Sequence, residues 1–266
     1  MYCPGVLSGK LRAAVWAAGL TVSLAACVDA PTEHRVRANA YLRAGEAQKA
    51  LEEIDRGIEG RPTDVSLHIM RGKALFELER YDDARAAYES ALANGKSDEP
   101  RSLSEAHLGL AAVATRKGDW QAARAQFEIL VKADDRDADA QLNLARVCLQ
   151  QKELDCAVAH AEAAGRLRGD AEDVLFTLGR IYVAAKKLDD ADKTFARIAE
   201  VVPSAASSPY GRAIVAAQRG DLDLALTRLA EALGKKLPNP DKLADDPLLT
   251  PLKDDPRFAA LVKKAR

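Results

Sequence analysis

The feature that most constrains this chain is a pair of small residues that recurs along most of it. Gly179 and Ala191 form the clearest pair, and in every pair the second member stands at i+12 from the first. Apolar residues around each pair follow the spacing of amphipathic helices, and a polar turn separates the two members. Each pair therefore predicts two short helices that cross where only a small side chain fits. The other pairs are Ala38 and Ala50, Gly72 and Ala84, Ala111 and Ala123, Ala145 and Ala157, and Ala213 and Ala225.

Successive pairs follow one another at i+34, except that the third pair stands at i+39 from the second. A five-residue insert therefore lies in the connection 94–101. A helical hairpin of this kind cannot bury its apolar stripes alone and needs stacked neighbours. The period and the small-residue sites resemble the tetratricopeptide repeat family over roughly residues 32–237. The resemblance implies an all-α fold, a right-handed α-solenoid of about six helical hairpins whose first helices line a concave surface.

The composition agrees with alanine-rich helix stacking, because 48% of the residues are hydrophobic, 30% are charged and only 5% are aromatic. The formal charge is −1. Without segment 1–26, which holds Lys10 and Arg12, the basic side chains fall by two from 39 against 40 acidic ones, which gives −3. Nucleic-acid partners call for a basic excess on some surface, so none is expected.

The N-terminal segment 1–26 has the pattern of an export signal. Lys10 and Arg12 precede an uncharged apolar run that ends at Ala26 and is too short for a permanent membrane helix. The run closes with Leu-Ala-Ala before Cys27, which resembles a bacterial lipobox. That resemblance implies cleavage between Ala26 and Cys27 and acylation of Cys27, with several acyl chains that anchor firmly. An ordinary secretory signal with an incidental cysteine is the alternative.

The residue after Cys27 bears on localisation. Resemblance to lipoproteins of diderm bacteria implies retention at the inner membrane when aspartate follows the cysteine, and here Val28 follows it. We therefore expect a lipid-anchored envelope protein on the outer membrane that faces the periplasm. The predicted organisation is a cleaved signal (1–26), the lipidated cysteine and a short tether (27–31), six repeats (32–239) and C-terminal capping helices (240–266).

The C-terminal segment 240–266 contains Asp-Asp-Pro twice. Asp246 and Asp255 each precede a proline, an arrangement typical of a helix N-cap followed by proline at the first helical position. The apolar residues of the segment would cover the open end of the last repeat. A detachable peptide for a partner is the alternative.

Motifs for catalysis are lacking in the sequence, which holds no phosphate-binding glycine loop, zinc-protease motif or nucleophile elbow. We predict no catalytic residue, no cofactor and no metal site. His34, His68 and His107 occupy equivalent places in the first three repeats, but stacked repeats separate such residues by about 10 Å, too far for shared zinc ligands. We interpret them as packing at repeat interfaces.

The surface formed by the first helices is the candidate binding groove. Its apolar floor and cations favour an extended or helical partner segment that bears acidic groups. Some related solenoids clamp a C-terminal carboxylate, and Arg35 with Asn39 resembles part of that pattern, but Met70 stands where asparagine is needed. Solvated cations without a ligand are the alternative. We expect glutamate at Arg146 and Arg180 to weaken binding without loss of stability. The candidate groove residues are Arg35, Asn39, Lys73, Phe76, Arg146, Phe176, Arg180 and Tyr210.

Two cysteines of the mature chain remain to be placed. Cys3 leaves with the signal and Cys27 carries lipid, which leaves Cys148 and Cys156 in an oxidising compartment. Cys148 lies three residues after Ala145 and Cys156 directly before Ala157, so a disulfide across the hairpin of the fourth repeat is predicted. Simple packing of two small apolar side chains is the alternative.

Two classes of function are compatible with these features. The first is an interaction scaffold of the bacterial envelope, bound to the membrane by lipid and to a protein partner by the groove. It resembles repeat lipoproteins that act as pilotins for pilus secretins or as accessory subunits of envelope-assembly and peptidoglycan machines. The second is a repeat-bearing subunit of a cell-envelope enzyme, or such an enzyme itself. The missing acid/base pair favours the first.

Overall fold

A computed structural model describes residues 30–96 and 100–264, and within these ranges the chain forms only helices, turns and loops. The chain divides into two compact units, Met1–Pro62 and Thr63–Arg266, which are considered separately below. Over the described ranges, none of the helices combines the length and the apolar character that a membrane span requires. The predicted signal, cleavage site and lipidated Cys27 lie outside the described residues.

The first unit contains one helical hairpin, repeat 1. Helix α1 (Ala30–Arg43) and helix α2 (Ala47–Gly60) meet at Ala38 and Ala50, which are both fully buried. Gly45 lies in the turn with a φ of +73°. This left-handed conformation, for which glycine carries no steric penalty, ends α1 and lets the chain reverse.

The second unit begins with five more hairpins, repeats 2–6, and each second helix packs on the first helix of the next hairpin. The small-residue sites of all five are buried. The predicted all-α fold of stacked helical hairpins is confirmed. The helices are α3 (Val65–Glu77) and α4 (Tyr81–Asn94), α5 (Pro100–Lys117) and α6 (Trp120–Ala133), α7 (Ala138–Gln150) and α8 (Leu154–Arg168), α9 (Glu172–Ala184) and α10 (Leu188–Val201), and α11 (Ser207–Arg219) and α12 (Leu222–Gly234).

The five-residue insert lies at the start of repeat 3. Helix α5 has 18 residues, whereas the first helices of the other repeats have 13 or 14. Part of the insert therefore extends α5 at its N-terminus, where Pro100 stands at the first helical position. The insert does not only lengthen a loop.

In the second unit, two aromatic rings each pack between neighbouring repeats. The ring of Tyr88 on α4 lies between Gly72 and Gly109, and a Cβ atom built at Gly109 would lie 2.3 Å from it. The ring of Phe195 on α10 lies in the same way between Gly179 and Gly211. In both cases one glycine belongs to the ring's own hairpin and the other to the next repeat. The absence of a Cβ at four positions therefore allows the hairpins to pack closely.

The C-terminal segment covers the last repeat with two 3-10 helices, Pro240–Asp245 and Pro247–Leu252, and with α13 (Pro256–Lys264). Asp246 accepts a hydrogen bond from the Leu248 amide at 3.0 Å, and Asp255 accepts one from the Arg257 amide at 2.8 Å. Both predicted N-caps therefore form, although the first caps a 3-10 helix. The apolar side chains that this segment buries against α11 and α12 are Leu243, Leu249, Leu252, Phe258 and Val262.

Candidate functional site

The predicted groove residues of the second unit lie on the first helices of repeats 2, 4, 5 and 6. All six are exposed or half-buried, so these helices present them at the surface. Their surroundings differ sharply along the unit. They are Lys73 and Phe76 on α3, Arg146 on α7, Phe176 and Arg180 on α9, and Tyr210 on α11.

At the repeat 5 and repeat 6 end, the chain's own Asp246 binds to the predicted groove residues. The two terminal nitrogens of the Arg180 guanidinium contact the two carboxylate oxygens of Asp246 at 2.6 and 3.2 Å. The hydroxyl of Tyr210 donates a hydrogen bond to the same carboxylate. Asp246 is thereby held by a forked, charge-assisted pair and a phenol. We call Arg180, Tyr210 and Asp246 the aspartate seat.

Burial and pairing oppose each other in the aspartate seat. The Asp246 side chain is only 8% exposed, and burial alone would raise its pKa. Hydrogen bonds from Arg180 and Tyr210 outweigh burial and hold the pKa of Asp246 below its ordinary value. Burial and the bond to Asp246 raise the pKa of the Tyr210 phenol. All three groups therefore keep their charge state, a carboxylate, a guanidinium and a neutral phenol, at neutral pH.

Phe176 forms the apolar side of the aspartate seat. Its ring stacks on Tyr210 at a centroid distance of 5.9 Å, and the Arg180 guanidinium lies 6.0 Å from its centroid. Gln218 on α11 adds a hydrogen bond of 2.8 Å to the Leu248 carbonyl. The C-terminal segment is thus attached to the groove side of repeats 5 and 6 by polar contacts as well as by its buried leucines.

This arrangement corrects one expectation drawn from the sequence. The sequence predicts that Arg180 is an exposed groove residue whose replacement leaves stability nearly unchanged, but the guanidinium neutralises a buried carboxylate of the same chain. Its loss would leave Asp246 without its cation, which costs stability. A role of Arg180 and Tyr210 in contacting a partner stays a prediction.

Repeats 2 and 3 present a mixed surface. Lys73 forms an ion pair with Glu105 of α5, so its charge is neutralised within the unit. Phe76 packs edge-to-face on Tyr81 at 5.5 Å, and the Arg116 guanidinium lies 5.8 Å from the Phe76 ring. Leu108 on α5 is apolar and yet 48% exposed. This leucine is therefore the apolar contact point that the groove offers to solvent.

A crevice of about 320 Å³ opens beside Leu108, between α5 and α7. Apolar and polar side chains line it together, and three of the polar ones are carboxylates. It has room for one or two side chains of a partner segment. The residues that line it are Arg101, Ser104, Glu105, Leu108, Leu130, Asp137, Asp139, Ala140 and Asn143.

Arg146, the first-helix cation of repeat 4, is exposed and contacts only neutral side chains. Its guanidinium nitrogens donate to the Asn143 side-chain oxygen at 3.3 Å and to the Thr177 hydroxyl at 3.0 Å. Among the described residues no carboxylate lies within ion-pair distance of Arg146. This guanidinium thus has no carboxylate partner in the described part of the chain, and its partner Asn143 lines the crevice.

Arg35 and Asn39 belong to the first unit and are considered only there. Both lie on α1, where Arg35 is half-buried and Asn39 is exposed. The Arg35–Asn39 pair is therefore accessible on its own hairpin. Its place in a groove that continues through all six repeats stays a prediction.

His34 and His107 each bridge the two helices of one hairpin, which corrects their interpretation as residues that pack between repeats. Nδ1 of His34 lies 2.7 Å from Glu53, and Nδ1 of His107 lies 2.8 Å from Gln126. Repeat 4 has the same bridge with the partners exchanged, from His160 to Gln141 at 2.7 Å. Burial lowers the pKa of His160, and the bond to His34 lowers the pKa of Glu53. These hydrogen bonds therefore link the two helices within a hairpin and have a structural role.

The structure joins Cys148 and Cys156 by a disulfide between α7 and α8, with Cα atoms 5.8 Å apart. Glu153 lies beside them and forms an ion pair with Arg124 of repeat 3 at 2.6 Å. The bridge constrains a loop of only a few residues, so it fixes one hairpin and has little effect on the stacking of the others. Its oxidation in the protein as isolated stays a prediction.

Comparison with known proteins relates this architecture to a known repeat family. A sequence model of the tetratricopeptide repeat family matches residues 35–99, 108–171 and 176–239. DnaJ homolog subfamily C member 3 of Gallus gallus is 22% identical over 156 residues, which are 55% of this chain and 31% of that protein. This chain therefore spans about a third of the length of that curated relative.

Two solved structures illustrate the shared fold. A tetratricopeptide repeat protein from Parabacteroides merdae superimposes with a TM-score of 0.72 at 15% identity, over 89% of this chain and 92% of that one. PilW, a type IV pilus biogenesis factor, superimposes with a TM-score of 0.64 at 19% identity, over 77% and 92%. At such identities the likeness concerns the fold alone. Because the family model matches most of the sequence, the chain belongs to the tetratricopeptide repeat family.

Proposed function

We propose that this protein is a lipid-anchored interaction scaffold of the bacterial cell envelope, which holds a segment of a partner protein against the first helices of repeats 3 and 4. The observation that carries the proposal is the crevice between α5 and α7, which is lined by exposed Leu108 and by Asn143, a hydrogen-bond partner of the exposed Arg146. An apolar contact flanked by a cation suits an extended or helical segment with apolar and acidic side chains.

The contacts at the C-terminal end of the second unit also favour repeats 3 and 4 as the binding site. The C-terminal segment covers repeats 5 and 6 and takes up the charge of Arg180, while Lys73 of repeat 2 is paired with Glu105. Repeats 3 and 4 therefore offer the accessible part of the described groove. A scaffold function also fits the family, whose members usually bind other proteins without catalysing a reaction.

The envelope assignment rests on the N-terminal sequence. The apolar run that ends at Ala26 and the following Cys27 resemble a lipoprotein signal, which supports export and anchoring. PilW, which has a similar fold, is a pilus biogenesis factor. We propose that this protein likewise serves an envelope machine for pili, secretion or peptidoglycan, as an assembly or pilotin-like factor on the periplasmic side of the outer membrane.

The groove is tested by photo-crosslinking. A photoreactive phenylalanine analogue in place of Leu108 is expected to form a covalent adduct with a partner protein in intact cells of the source organism, because this side chain lies at the crevice. The adduct is detected as a mobility shift and identified by mass spectrometry. The matched control is the same analogue at Ile129, which lies on the second helix of the same hairpin and is 42% exposed. Equal adducts from both positions, or none from Leu108, would contradict the proposal.

The anchor is tested separately by replacing Cys27 with serine. The variant is expected to lose labelling by a fatty-acid analogue. It should also retain the N-terminal segment 1–26 uncleaved, because the lipoprotein peptidase recognises the lipid-modified thiol. Gel mobility and acyl labelling measure both effects, and Cys3→Ser in the signal is the control. A mature Cys27→Ser protein of wild-type size would show that an ordinary peptidase makes the cut.

A further inference from the structure

We propose that the C-terminal end of the second unit binds a small amphiphilic anion, a phosphate monoester with an apolar chain, in a cavity between α12 and α13. This α12–α13 cavity has a volume of about 430 Å³, which lies within the range of small-molecule sites. It is built by repeat 6 and the C-terminal segment. The inference is therefore independent of the partner segment proposed for repeats 3 and 4.

Apolar side chains form most of the wall of the α12–α13 cavity. Leu233, Leu237 and Leu261 are half-buried, and each packs against the core of the second unit and also lines the cavity. Pro240, the first residue of the first 3-10 helix, adds a further apolar contact. An alkyl chain that covers this wall would remove apolar surface from water, which favours binding.

Small residues keep the floor of the cavity open. Ala230 and Gly234 stand one turn apart on α12, and a Cβ atom built at Gly234 would have no described neighbour within 4 Å. Gly179 and Gly211 differ in this respect, because the Phe195 ring occupies the space beside them. No side chain of the described residues therefore fills the space over the last turn of α12.

The open floor is a property of repeat 6. Ala230 and Gly234 stand at i+5 and i+9 from Ala225, the small residue of the second helix. Every other repeat carries at least one charged side chain at these two positions. In repeats 3 and 4 both positions are charged, with Glu128 and Lys132 in the one and Glu162 and Arg166 in the other.

Two lysines give the α12–α13 cavity its charge. Lys236 stands two residues after α12, Lys264 ends α13, and both side chains are exposed and line the cavity. The described residues of its lining include no carboxylate, and none of the described carboxylates lies within ion-pair distance of either lysine. Lys235, by contrast, donates a hydrogen bond to the Pro203 carbonyl at 2.7 Å. The cavity thus combines an apolar wall with two positive charges.

The two charges and the apolar wall together specify the ligand. A phosphate monoester carries a charge of about −1.5 to −2 at neutral pH, which matches two ammonium groups. A carboxylate would neutralise only one of them. Lysine also binds phosphate as a point charge, without the planar fork that arginine offers to a carboxylate. Inorganic phosphate would leave the apolar wall in water, so an alkyl chain on the phosphate completes the fit.

A second cavity, on the other side of Leu261 and Lys264, is a poorer candidate for this ligand. Asp223 and Arg257 both line it, and they form an ion pair at 2.7 Å. An incoming anion would therefore compete with Asp223 or meet its negative charge. Lys236 lines only the α12–α13 cavity of these two, so its replacement distinguishes them.

Isothermal titration calorimetry of the purified full-length protein with octyl phosphate, octanoate and octanol tests the site. Octyl phosphate is expected to bind at least about tenfold more tightly than octanol, because the alcohol leaves both lysines without an anionic partner. Hexyl phosphate should bind about tenfold more weakly than octyl phosphate, since each buried methylene is worth up to about fourfold in affinity. A double variant, Lys236→Gln with Lys264→Gln, is expected to bind octyl phosphate no more tightly than octanol.

The matched charge control is Lys263→Gln on α13, an exposed lysine outside the cavity lining, which should leave every affinity unchanged. Ala230→Trp would fill the floor and is expected to abolish binding, whereas Glu231→Trp, an exposed neighbour outside the lining, should retain it. Circular dichroism verifies that each variant keeps its helices. No saturable binding of octyl phosphate, equal affinity for octanol, tighter binding of octanoate, or unchanged affinity in the lysine double variant would each overturn the inference.

Discussion

Replacing Gly211 with alanine is expected to lower the free energy of unfolding by about 1 to 3 kcal/mol, the usual cost of forcing an atom into a packed core. A Cβ atom at this position would lie 2.2 Å from the Phe195 ring, which is itself fully buried and bounded on its other side by Gly179. The ring has no direction in which to move. Urea denaturation followed by circular dichroism measures the loss.

The control for this substitution is Gly165→Ala on α8. A Cβ there would meet its nearest neighbour, Leu178, at an ordinary 3.5 Å, so alanine should be neutral or should stabilise the helix by up to about 1 kcal/mol. Phe195→Leu in the Gly211→Ala background is expected to recover part of the loss, because a smaller side chain leaves space for the new methyl group. A Gly211→Ala protein as stable as the wild type would disprove the close packing described here.

Replacing Arg180 with glutamine is expected to destabilise the second unit by about 3 kcal/mol, the low end of the cost of removing one partner from a buried ion pair. Asp246 would remain largely buried with only Tyr210 and the Leu248 amide as donors. Arg146→Gln, the equivalent substitution one repeat earlier, should change stability by no more than about 0.5 kcal/mol, because Arg146 is exposed and has only neutral partners. Thermal melting of both variants measures the contrast.

Acid titration gives a second measure of the same contact. The pKa of Asp246 is lowered in the folded state, so its contribution to stability is complete above the ordinary aspartate pKa and disappears as the pH falls through the folded pKa. Arg180→Gln lacks this contribution. The stabilities of variant and wild type should therefore converge in strong acid. A gap that stays constant down to the lowest pH would assign the loss to packing and not to charge.

The repeat architecture could be predicted from sequence because its signal lies in single residues at fixed spacing. Ala145 and Ala157 are fully buried at the helix crossing where their constant spacing predicts them. The N-caps at Asp246 and Asp255 were also predictable, since a cap depends only on neighbouring residues. These features are local or periodic, and neither requires knowledge of a distant contact.

The aspartate seat could not be predicted, because its partners are 66 residues apart and Asp246 lies outside the repeats. No period relates Asp246 to Arg180, so the sequence did not reveal that Arg180 is paired within the chain. The histidine hydrogen bonds within hairpins were missed, although the sequence contained a signal for them. His34 and Glu53, like His107 and Gln126, are separated by 19 residues, and this constant spacing across a hairpin indicates a pair inside the repeat.

The glycines that make room for the Tyr88 and Phe195 rings limit how the series of repeats can be shortened or rearranged during evolution. The Tyr88 ring needs the glycine that stands two positions before the small residue of the following repeat, and Gly109 supplies it. A deletion that fused repeat 2 to repeat 4 would place Asn143 there, whereas a fusion to repeat 6 would place Gly211. Unequal recombination should therefore preserve folding only where each ring is inherited together with a glycine in the downstream repeat.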